Sequence, residues 1–268
     1  MTPSQRSLAL LLVGVVSSFS FAGAADAGKS YKLLLFSEEC YETWFGPTHD
    51  VLDVPCLKSI ISRGLSIGII VGSTALKVPQ IVNYLRHGNT KGVSVTMMYM
   101  DVLSFTPGPI YNTLQGHPFM TYGEQLIVLG ENVFIVLLMW YLTPRDKFSP
   151  GRALLSALAF AGISAGLFNA PTWAWPMMPI MGALFATVGR IPQVIQNHAS
   201  KSTGTLSVIT FFLQFAGGAA RIFTTLHETG DMSMVAGQAV GMTLSGIVLL
   251  QIAIYWDNTK KQLKQSTA

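Results

Sequence analysis

The segment Lys77-Val78-Pro79-Gln80-Ile81 occurs twice in this chain, the second time as Arg190-Ile191-Pro192-Gln193-Val194. Similar loops follow, Thr90-Lys91-Gly92-Val93-Ser94-Val95 and Thr203-Gly204-Thr205-Leu206-Ser207-Val208. The offset is constant, because 192 − 79, 203 − 90 and 207 − 94 all equal 113. A basic residue, a proline and a glutamine are costly inside lipid. Their recurrence at a fixed offset indicates a duplicated membrane unit, from which many transporters are built.

The composition is that of a membrane protein. Of the 268 residues, 50% are hydrophobic and only 11% are charged, whereas soluble domains contain about 25% charged residues. The net charge of +4 and the isoelectric point near 9.1 do not indicate nucleic-acid binding, because the basic residues fall in short loops and a tail. We expect membrane lipid, and no nucleic acid, as a partner.

The N-terminus has the pattern of a signal peptide over residues 1–24. Arg6 is followed by an apolar run from Leu8 to Phe21 and by the small residues Ala22-Gly23-Ala24. The alternative is a first transmembrane helix that stays attached, although the run is short for a span of about 20 residues. The two cysteines, Cys40 and Cys56, follow in a segment that we expect to be lumenal. They form either a disulfide or a free buried pair.

Seven apolar stretches follow the N-terminal segment. They are Leu65–Tyr84, Val95–Leu114, Tyr122–Leu142, Ala153–Phe168, Trp175–Ile195, Leu206–Leu226 and Met234–Trp256. All except the fourth are long enough to cross about 30 Å of hydrocarbon as helices. The fourth is short and rich in small residues, and we interpret it as a linker helix.

The charges of the connecting loops alternate. Arg and Lys occupy the first, third and fifth connections and the tail, whereas the second, fourth and sixth have none. The positive-inside rule therefore predicts that both Pro-Gln segments and the C-terminus face the cytosol. An odd number of spans then places the N-terminus in the lumen, which agrees with a signal peptide.

These patterns predict an all-α membrane protein with seven transmembrane helices, in which two parallel three-helix bundles are joined by the fourth helix (3+1+3). The expected divisions are a signal peptide at 1–24, a lumenal segment at 25–63, repeat one at 64–143, the linker at 144–172, repeat two at 173–257 and a cytosolic tail at 258–268. A substrate path is expected between the two bundles.

The paired prolines are candidate hinges. A proline inside a helix frees a backbone carbonyl, and in lipid this carbonyl needs another partner. Gln80 and Gln193, which follow Pro79 and Pro192, are placed to donate a hydrogen bond to this carbonyl. Bending during gating is the functional interpretation, and a static kink that shapes packing is the alternative.

Charged side chains inside the spans are candidates for substrate binding. They are Lys77, Asp101, Glu131, Arg190 and Arg221. Lys77 and Asp101 lie at similar depth and are expected to pair, whereas Arg190 has Gln214 at the position equivalent to Asp101. The count of three cations and two anions fits an anionic substrate near Arg190, and it fits equally an arginine that reaches lipid phosphate. Asn132, with Asn83, Asn112 and Asn197, is a candidate for binding sugar hydroxyls.

No catalytic arrangement is recognisable in the sequence. The five histidines lie outside the proposed spans without metal-ligand spacing, and there is no phosphate loop or nucleophile elbow. We expect a protein that is not an enzyme and needs neither cofactor nor metal.

The paired Pro-Gln segments in a seven-span chain resemble the PQ-loop superfamily, which includes sugar transporters and lysosomal amino-acid exporters. Further strings resemble the mannose-P-dolichol utilization defect 1 family within it, over about Cys40 to Trp256. They are Glu39-Cys40-Tyr41, Val54-Pro55-Cys56-Leu57-Lys58, Ala220-Arg221-Ile222-Phe223-Thr224 and Glu228-Thr229-Gly230-Asp231.

The resemblance implies a multi-pass protein of the endoplasmic reticulum that is needed for use of dolichol-phosphate-mannose and dolichol-phosphate-glucose. Its expected partners are these lipid-linked sugars and the lumenal glycosyltransferases. The apparent signal peptide departs from the family and leaves another membrane open. Two other functions are compatible with the sequence, a transporter of a free sugar or amino acid and a scaffold for glycosyltransferases. A wide lateral gap between the bundles would favour lipid handling, and a closed, hydroxyl-lined central cavity would favour a free solute. The absence of both would favour the scaffold.

Overall fold

The computed structural model describes residues 31–32, 36–46, 53–88, 95–144, 149–204 and 207–260. The expected signal peptide, the loop around Lys91 and most of the tail lie outside these ranges. Two short strands, β1 (Tyr31–Lys32) and β2 (Phe36–Ser37), pair in antiparallel fashion. The helices are α1 (Glu38–Phe45), α2 (Val54–His87), α3 (Val95–Phe105), α4 (Pro107–Gln115), α5 (Phe119–Leu142), α6 (Pro150–Phe168), α7 (Met177–Ser200), α8 (Val208–Glu228) and α9 (Met232–Ile254), with a 3-10 turn at Thr172–Ala174.

The N-terminal segment is joined covalently to the first long helix. Cys40 in α1 and Cys56 in the first turn of α2 form a disulfide, with 5.4 Å between their Cα atoms. The carboxylate of Asp53 caps α2 by accepting from the backbone N–H of Cys56 at 3.1 Å. Pro55 in the first turn needs no hydrogen-bond partner there. The helix consequently starts at Val54, and residues 54–63 belong to it rather than to a separate lumenal segment.

Two other boundaries differ from the expected ones. The stretch Val95–Leu114 is not one helix, because it breaks at Thr106 into α3 and α4. Pro107 lacks a backbone N–H and cannot continue the hydrogen bonding of α3. The fourth helix is longer than expected, since Ser149 caps its start and it extends over 19 residues.

The helix boundaries repeat with the same offset of 113 as the Pro-Gln segments. Helices α2 and α7 end at equivalent residues, His87 and Ser200. The starts of α3 and α8, the ends of α4 and α8, and the starts of α5 and α9 are likewise equivalent. The duplication therefore extends from the sequence to the secondary structure, and the break at Thr106 and the N-terminal extension of α2 are its exceptions.

Each repeat packs in the same way. In the first, α5 lies between α2 and α3, and in the second, α9 lies between α7 and α8. The repeats meet along two seams, which we define by their helices. In seam A, α2 packs on α8, and in seam B, α3 and α4 pack on α7. Helix α6 packs on α4 and is otherwise mostly exposed.

The cores of the repeats are built from equivalent positions. Ile81, Met98, Ile135 and Met139 belong to the cluster in the first repeat. Val194, Phe211, Val248 and Ile252, each 113 residues further on, form the cluster in the second. These side chains pack between three helices, and within a membrane such packing stabilises each bundle through van der Waals contact rather than through removal from water.

Within the part of the chain that the structure describes, six helices are long and apolar enough to cross a membrane. The qualifying stretches are Val54–Thr74 in α2 and the whole of α5, α6, α7, α8 and α9. Helices α3 and α4 are individually too short, with 11 and 9 residues. The lipid-facing character of the bundle is evident in its large apolar side chains, many of which are exposed on its outer surface.

Candidate functional site

The Pro-Gln segments lie near the ends of α2 and α7. Pro192 is inside α7 with an exposed side chain, and α2 continues through position 79, whose side chain lies outside the described atoms. Gln80 donates to the phenol oxygen of Tyr84 at 2.5 Å.

The second segment is held by a glutamine from another helix. Gln251 of α9 donates to the backbone oxygen of Val194 at 2.8 Å and accepts from the side chain of Asn197 at 3.0 Å. Asn197 is therefore a structural contact between α7 and α9, and Gln193 is half-buried beside it.

Four of the charged candidates interact with one another. Lys77 and Asp101 form the expected ion pair at 3.1 Å, and both remain partly accessible. Arg190 donates to the hydroxyl of Ser245 at 3.0 Å, and the Asp101 charge attracts it as well. Glu131 is attracted by Lys77. The hydroxyl of Ser245 is thus a hydrogen-bond partner of Arg190 that the sequence did not predict.

Arg221 belongs to a different group. It forms an ion pair with Glu124 of α5 and donates to the backbone oxygen of Met120 at 3.3 Å. Glu124 lies two residues inside the expected third stretch and was not counted there. Glu124 makes three anions for the three cations of the expected stretches, so the count over those stretches shows no cation surplus.

Two neighbouring polar side chains are buried without partners. Glu131 is 3% exposed and Asn132 is 0% exposed. Both oxygens of Glu131 and both polar atoms of the Asn132 amide lack hydrogen bonds within the part of the chain that the structure describes. Buried polar groups are rarely left unsatisfied, so these two residues remain candidates for binding a polar ligand or water.

A cavity of about 200 Å³ lies at seam B. Its walls come from α3, α4, α5, α7 and α9, and neither α2 nor α8 contributes. The lining residues are Ser104, Phe105, Gly108, Asn112, Gln125, Pro179, Gly182, Ala183, Ala186, Met234, Gly237 and Gln238. None of these side chains is charged, and three carry amides. The cavity therefore suits a small neutral ligand with hydrogen-bonding groups.

Glycines bring the walls of the cavity together. A side chain at Gly182 would lie 2.7 Å from the backbone oxygen of Ser104, and one at Gly237 would lie 2.8 Å from that of Pro179. Only glycine permits these backbone approaches. The glutamines at 125 and 238 are equivalent residues of the two repeats. Gln238 donates to Thr225 at 2.9 Å, and its oxygen is buried without a partner.

A polar group around Asp231, which we call the rim, lies next to the cavity residue Asn112. The hydroxyl of Tyr111 donates to the Asp231 carboxylate, and the His117 ring lies 3.8 Å from it. Asn112, which lines the cavity, contacts the other ring nitrogen of His117 at 2.8 Å. Burial lowers the pKa of His117, and the Asp231 charge opposes this shift.

Sequence reasoning identified the residues of the charged group, but of the cavity residues it identified only Asn112. The alternation of small and amide residues along α7 and α9 resembles ordinary helix packing, and only the helix arrangement places them around a void. Among the described residues no group of His, Cys, Asp or Glu could hold a metal ion.

Comparison with known proteins agrees with this architecture. The PQ loop repeat family matches residues 61–121 and 175–234, which contain the two Pro-Gln segments. The chain is therefore a multi-pass membrane protein in which two segments match the PQ loop repeat. Human solute carrier family 66 member 3 is 23% identical to it over 182 residues, which cover 68% of this chain and 87% of that protein. The relationship to solute carrier family 66 is distant.

Proposed function

We propose that this protein supports the lumenal use of dolichol-phosphate-mannose and dolichol-phosphate-glucose, by moving or presenting the lipid-linked sugar. The strings shared with the mannose-P-dolichol utilization defect 1 family, on both sides of the Pro-Gln segments, are the basis for this assignment. The sugars on these lipids are donors for N-glycan precursors and for GPI anchors. The protein acts without a cofactor and is not an enzyme.

The architecture that we propose has seven spans in a 3+1+3 arrangement. Helices α3 and α4 together cross the membrane as one broken span, because their outer ends are equivalent to the two ends of α8. Broken helices in membranes occur where they line a cavity, and α3 and α4 line the cavity at seam B. The pairing of repeats supports parallel bundles with α6 as the inverting helix.

The observation that carries the proposal in the structure is the neutral, amide-lined cavity between the repeats. Amide groups both donate and accept hydrogen bonds, as sugar hydroxyls do. The cavity is smaller than the roughly 300–1,000 Å³ of sites for drug-sized ligands, so it suits a single sugar ring. Asp101 and Ser245 already interact with Arg190, so a phosphate is not needed to offset that charge.

The second candidate function is transport of a free solute, such as a sugar or an amino acid. The same cavity favours it, because the cavity holds a small ligand without a lipid chain, and the human relative is named as a solute carrier. A scaffold for glycosyltransferases without a transport path is the third possibility, and it gives no role to the cavity.

Rescue of cells that lack their own protein of this type separates these functions. Cells with the wild-type chain should build complete lipid-linked oligosaccharides, whereas deficient cells accumulate precursors short of the sugars that these lipids donate. Ala186→Trp fills the cavity and should fail to rescue. Leu184→Trp is the matched control, because Leu184 lies on the same helix with 53% of its surface exposed and does not line the cavity.

The result is interpreted at equal protein abundance. Absence of rescue by the wild-type chain contradicts a role in dolichol-phosphate sugar use and leaves free-solute transport, which uptake by proteoliposomes measures. If Ala186→Trp rescues as completely as Leu184→Trp, the cavity is not needed for the function. This result favours the scaffold.

A further inference from the structure

The two seams between the repeats have the same helix geometry but opposite chemistry. Seam A is closed by charged and hydroxyl side chains, whereas seam B contains the cavity. Because the repeats are related by a fixed offset of 113 residues, each residue in one seam has an equivalent in the other. The difference between the seams can therefore be traced to individual substitutions.

Seam A is held by two contacts that involve buried groups. The first is the ion pair between Arg221 of α8 and Glu124 of α5, both less than 10% exposed. The second is formed by Glu228 at the end of α8. Its carboxylate accepts from Ser62 at 3.0 Å and from Ser66 at 3.3 Å, both on α2.

Thr121 of α5 also donates to Glu228, at 3.3 Å. Helices α2 and α5 of the first repeat are thus connected to α8 of the second. Hydrogen bonds to a charged group are stronger than those between neutral groups, so separation of seam A would break several strong contacts at once.

Four of the six equivalent positions in seam B are small or apolar and line the cavity. Gly108 is equivalent to Arg221, and Gly237 is equivalent to Glu124. Pro179 and Met234 are equivalent to Ser66 and Thr121. All four line the cavity. The cavity exists because glycines stand where the other seam carries an ion pair.

At the rim of seam B, polar side chains join the two repeats. Tyr111 of α4 donates to Asp231, the residue that caps α9, and His117 lies close to the same carboxylate. Below this rim the cavity offers the unpartnered oxygen of Gln238 and the amide of Gln125. Opening at the rim gives a ligand access to these groups while seam A stays closed.

We infer that the protein binds one neutral, hydroxylated ring in seam B and opens at that seam alone, with seam A as a fixed hinge. The identity of the ring as a sugar rests on the proposed function, whereas the restriction of binding and opening to one seam does not. A symmetric transporter would open along both seams, and the Glu124–Arg221 pair and the Glu228 contacts oppose this.

The experiment uses purified protein in detergent and two monosaccharide probes, methyl α-mannoside and methyl α-glucoside. Saturation-transfer NMR detects weak binding of either probe by the wild-type chain. Ala186→Trp should abolish the signal and Leu184→Trp should preserve it. The absence of a wild-type signal for both probes, or a signal that persists in Ala186→Trp, overturns the ligand site.

Crosslinking tests which seam opens. Tyr111→Cys with Asp231→Cys replaces the hydrogen bond across the rim of seam B, and Ser66→Cys with Glu228→Cys replaces one across seam A. The only two native cysteines are paired with each other, so each introduced pair supplies the reactive thiols. The same short bis-maleimide is applied to both variants, and each variant before crosslinking is its own control.

Crosslinking of seam B should abolish probe binding because the ring cannot enter. Crosslinking of seam A should leave probe binding at the level of the uncrosslinked variant. Loss of binding in both crosslinked proteins overturns the fixed hinge. These outcomes are independent of rescue in cells, so a failure of dolichol-phosphate sugar use as the function leaves the seam measurement intact.

Discussion

Asp101 is the residue on which the charges of the central group converge. It forms an ion pair with Lys77, and its charge also attracts Arg190, so one carboxylate serves equivalent cations from both repeats. Lys77 and Arg190 differ in their hydrogen bonds, because Arg190 donates to Ser245 and Lys77 donates to Asp101. Removal of either cation alone therefore leaves Asp101 with a partner, and removal of both leaves an uncompensated charge inside the membrane.

A double-mutant cycle measures this sharing. Lys77→Gln and Arg190→Gln should each lower thermal stability moderately, and the double variant should lose more than the sum. Coupling within such a network is typically about 0.5–3 kcal/mol. Addition of Asp101→Asn to the double variant should restore stability, because the stranded charge is then removed. Additive losses would mean that Asp101 does not connect the two cations.

The cycle also tests the phosphate-binding role proposed from the sequence. If Arg190 binds a substrate phosphate, Arg190→Gln impairs rescue of glycosylation at normal protein abundance. Its contact with Ser245 predicts the opposite, namely rescue that follows abundance. Full rescue by Arg190→Gln removes the phosphate-binding role.

His117 makes stability depend on pH. Burial lowers its folded-state pKa below the ordinary value near 6.5, so the unfolded chain binds a proton more readily than the folded one. Its contribution to stability is therefore complete above that pH and is lost as the pH falls towards the folded pKa. Asp231 and Tyr111 are the ionisable groups that face it in the structure.

The melting temperature of the purified protein should fall between pH 7.5 and pH 5.5, in roughly the range where an ordinary histidine gains its charge. His117→Gln should have a flatter profile, whatever its absolute stability, because glutamine does not titrate. Equal slopes for the two proteins would assign the pH dependence to other groups.

At the scale of helices, the sequence predicts several helix boundaries. One boundary, the break within the second span, cannot be predicted from the length of the apolar stretch. Ser207 and Asp231 are capping residues in front of apolar runs, and α8 and α9 begin directly after them. Apolar length alone predicts one helix across the second span, whereas Pro107 predicts the break at Thr106. The repeat also predicts an unbroken second span, because the equivalent residues Ala219 and Ala220 continue α8 without a break.

The hinge role of the paired prolines belongs to this scale. A proline in a helix interior costs about 3 kcal/mol relative to alanine, so Pro192→Ala should not lower the stability of α7. If α7 bends during function, the variant should nevertheless fail to rescue glycosylation. Ile191→Ala is the control, because Ile191 precedes Pro192, has an exposed side chain and does not constrain the backbone. Normal rescue by Pro192→Ala favours a static kink.

For the whole molecule, the duplication could be predicted from two short segments, but the asymmetry between the seams could not. A constant offset identifies which residues are equivalent, and it does not state which helices meet. Once α2 is known to pack on α8 and α4 on α7, Gly108 and Arg221 become corresponding residues of opposite seams. The cavity follows from that correspondence, because one seam carries side chains where the other has none.

The orientation of the bundle in the membrane is predicted by the sequence and can be tested by labelling. Alternating loop charges predict that the connection containing Lys201 is cytosolic and that the one containing Thr172 is lumenal. Both side chains are exposed at opposite ends of α7. Their cysteine variants, Lys201→Cys and Thr172→Cys, report the two sides separately, because the native cysteines are joined in a disulfide.

In sealed microsomes a membrane-impermeant maleimide should label Lys201→Cys at once and Thr172→Cys only after the membrane is permeabilised. Permeabilised microsomes, in which both sites should react, control for accessibility. The reverse order of labelling would invert the bundle. The rim around Asp231, which lies on the side of Thr172, would then face the cytosol, and the sugar would enter seam B from the opposite side of the membrane.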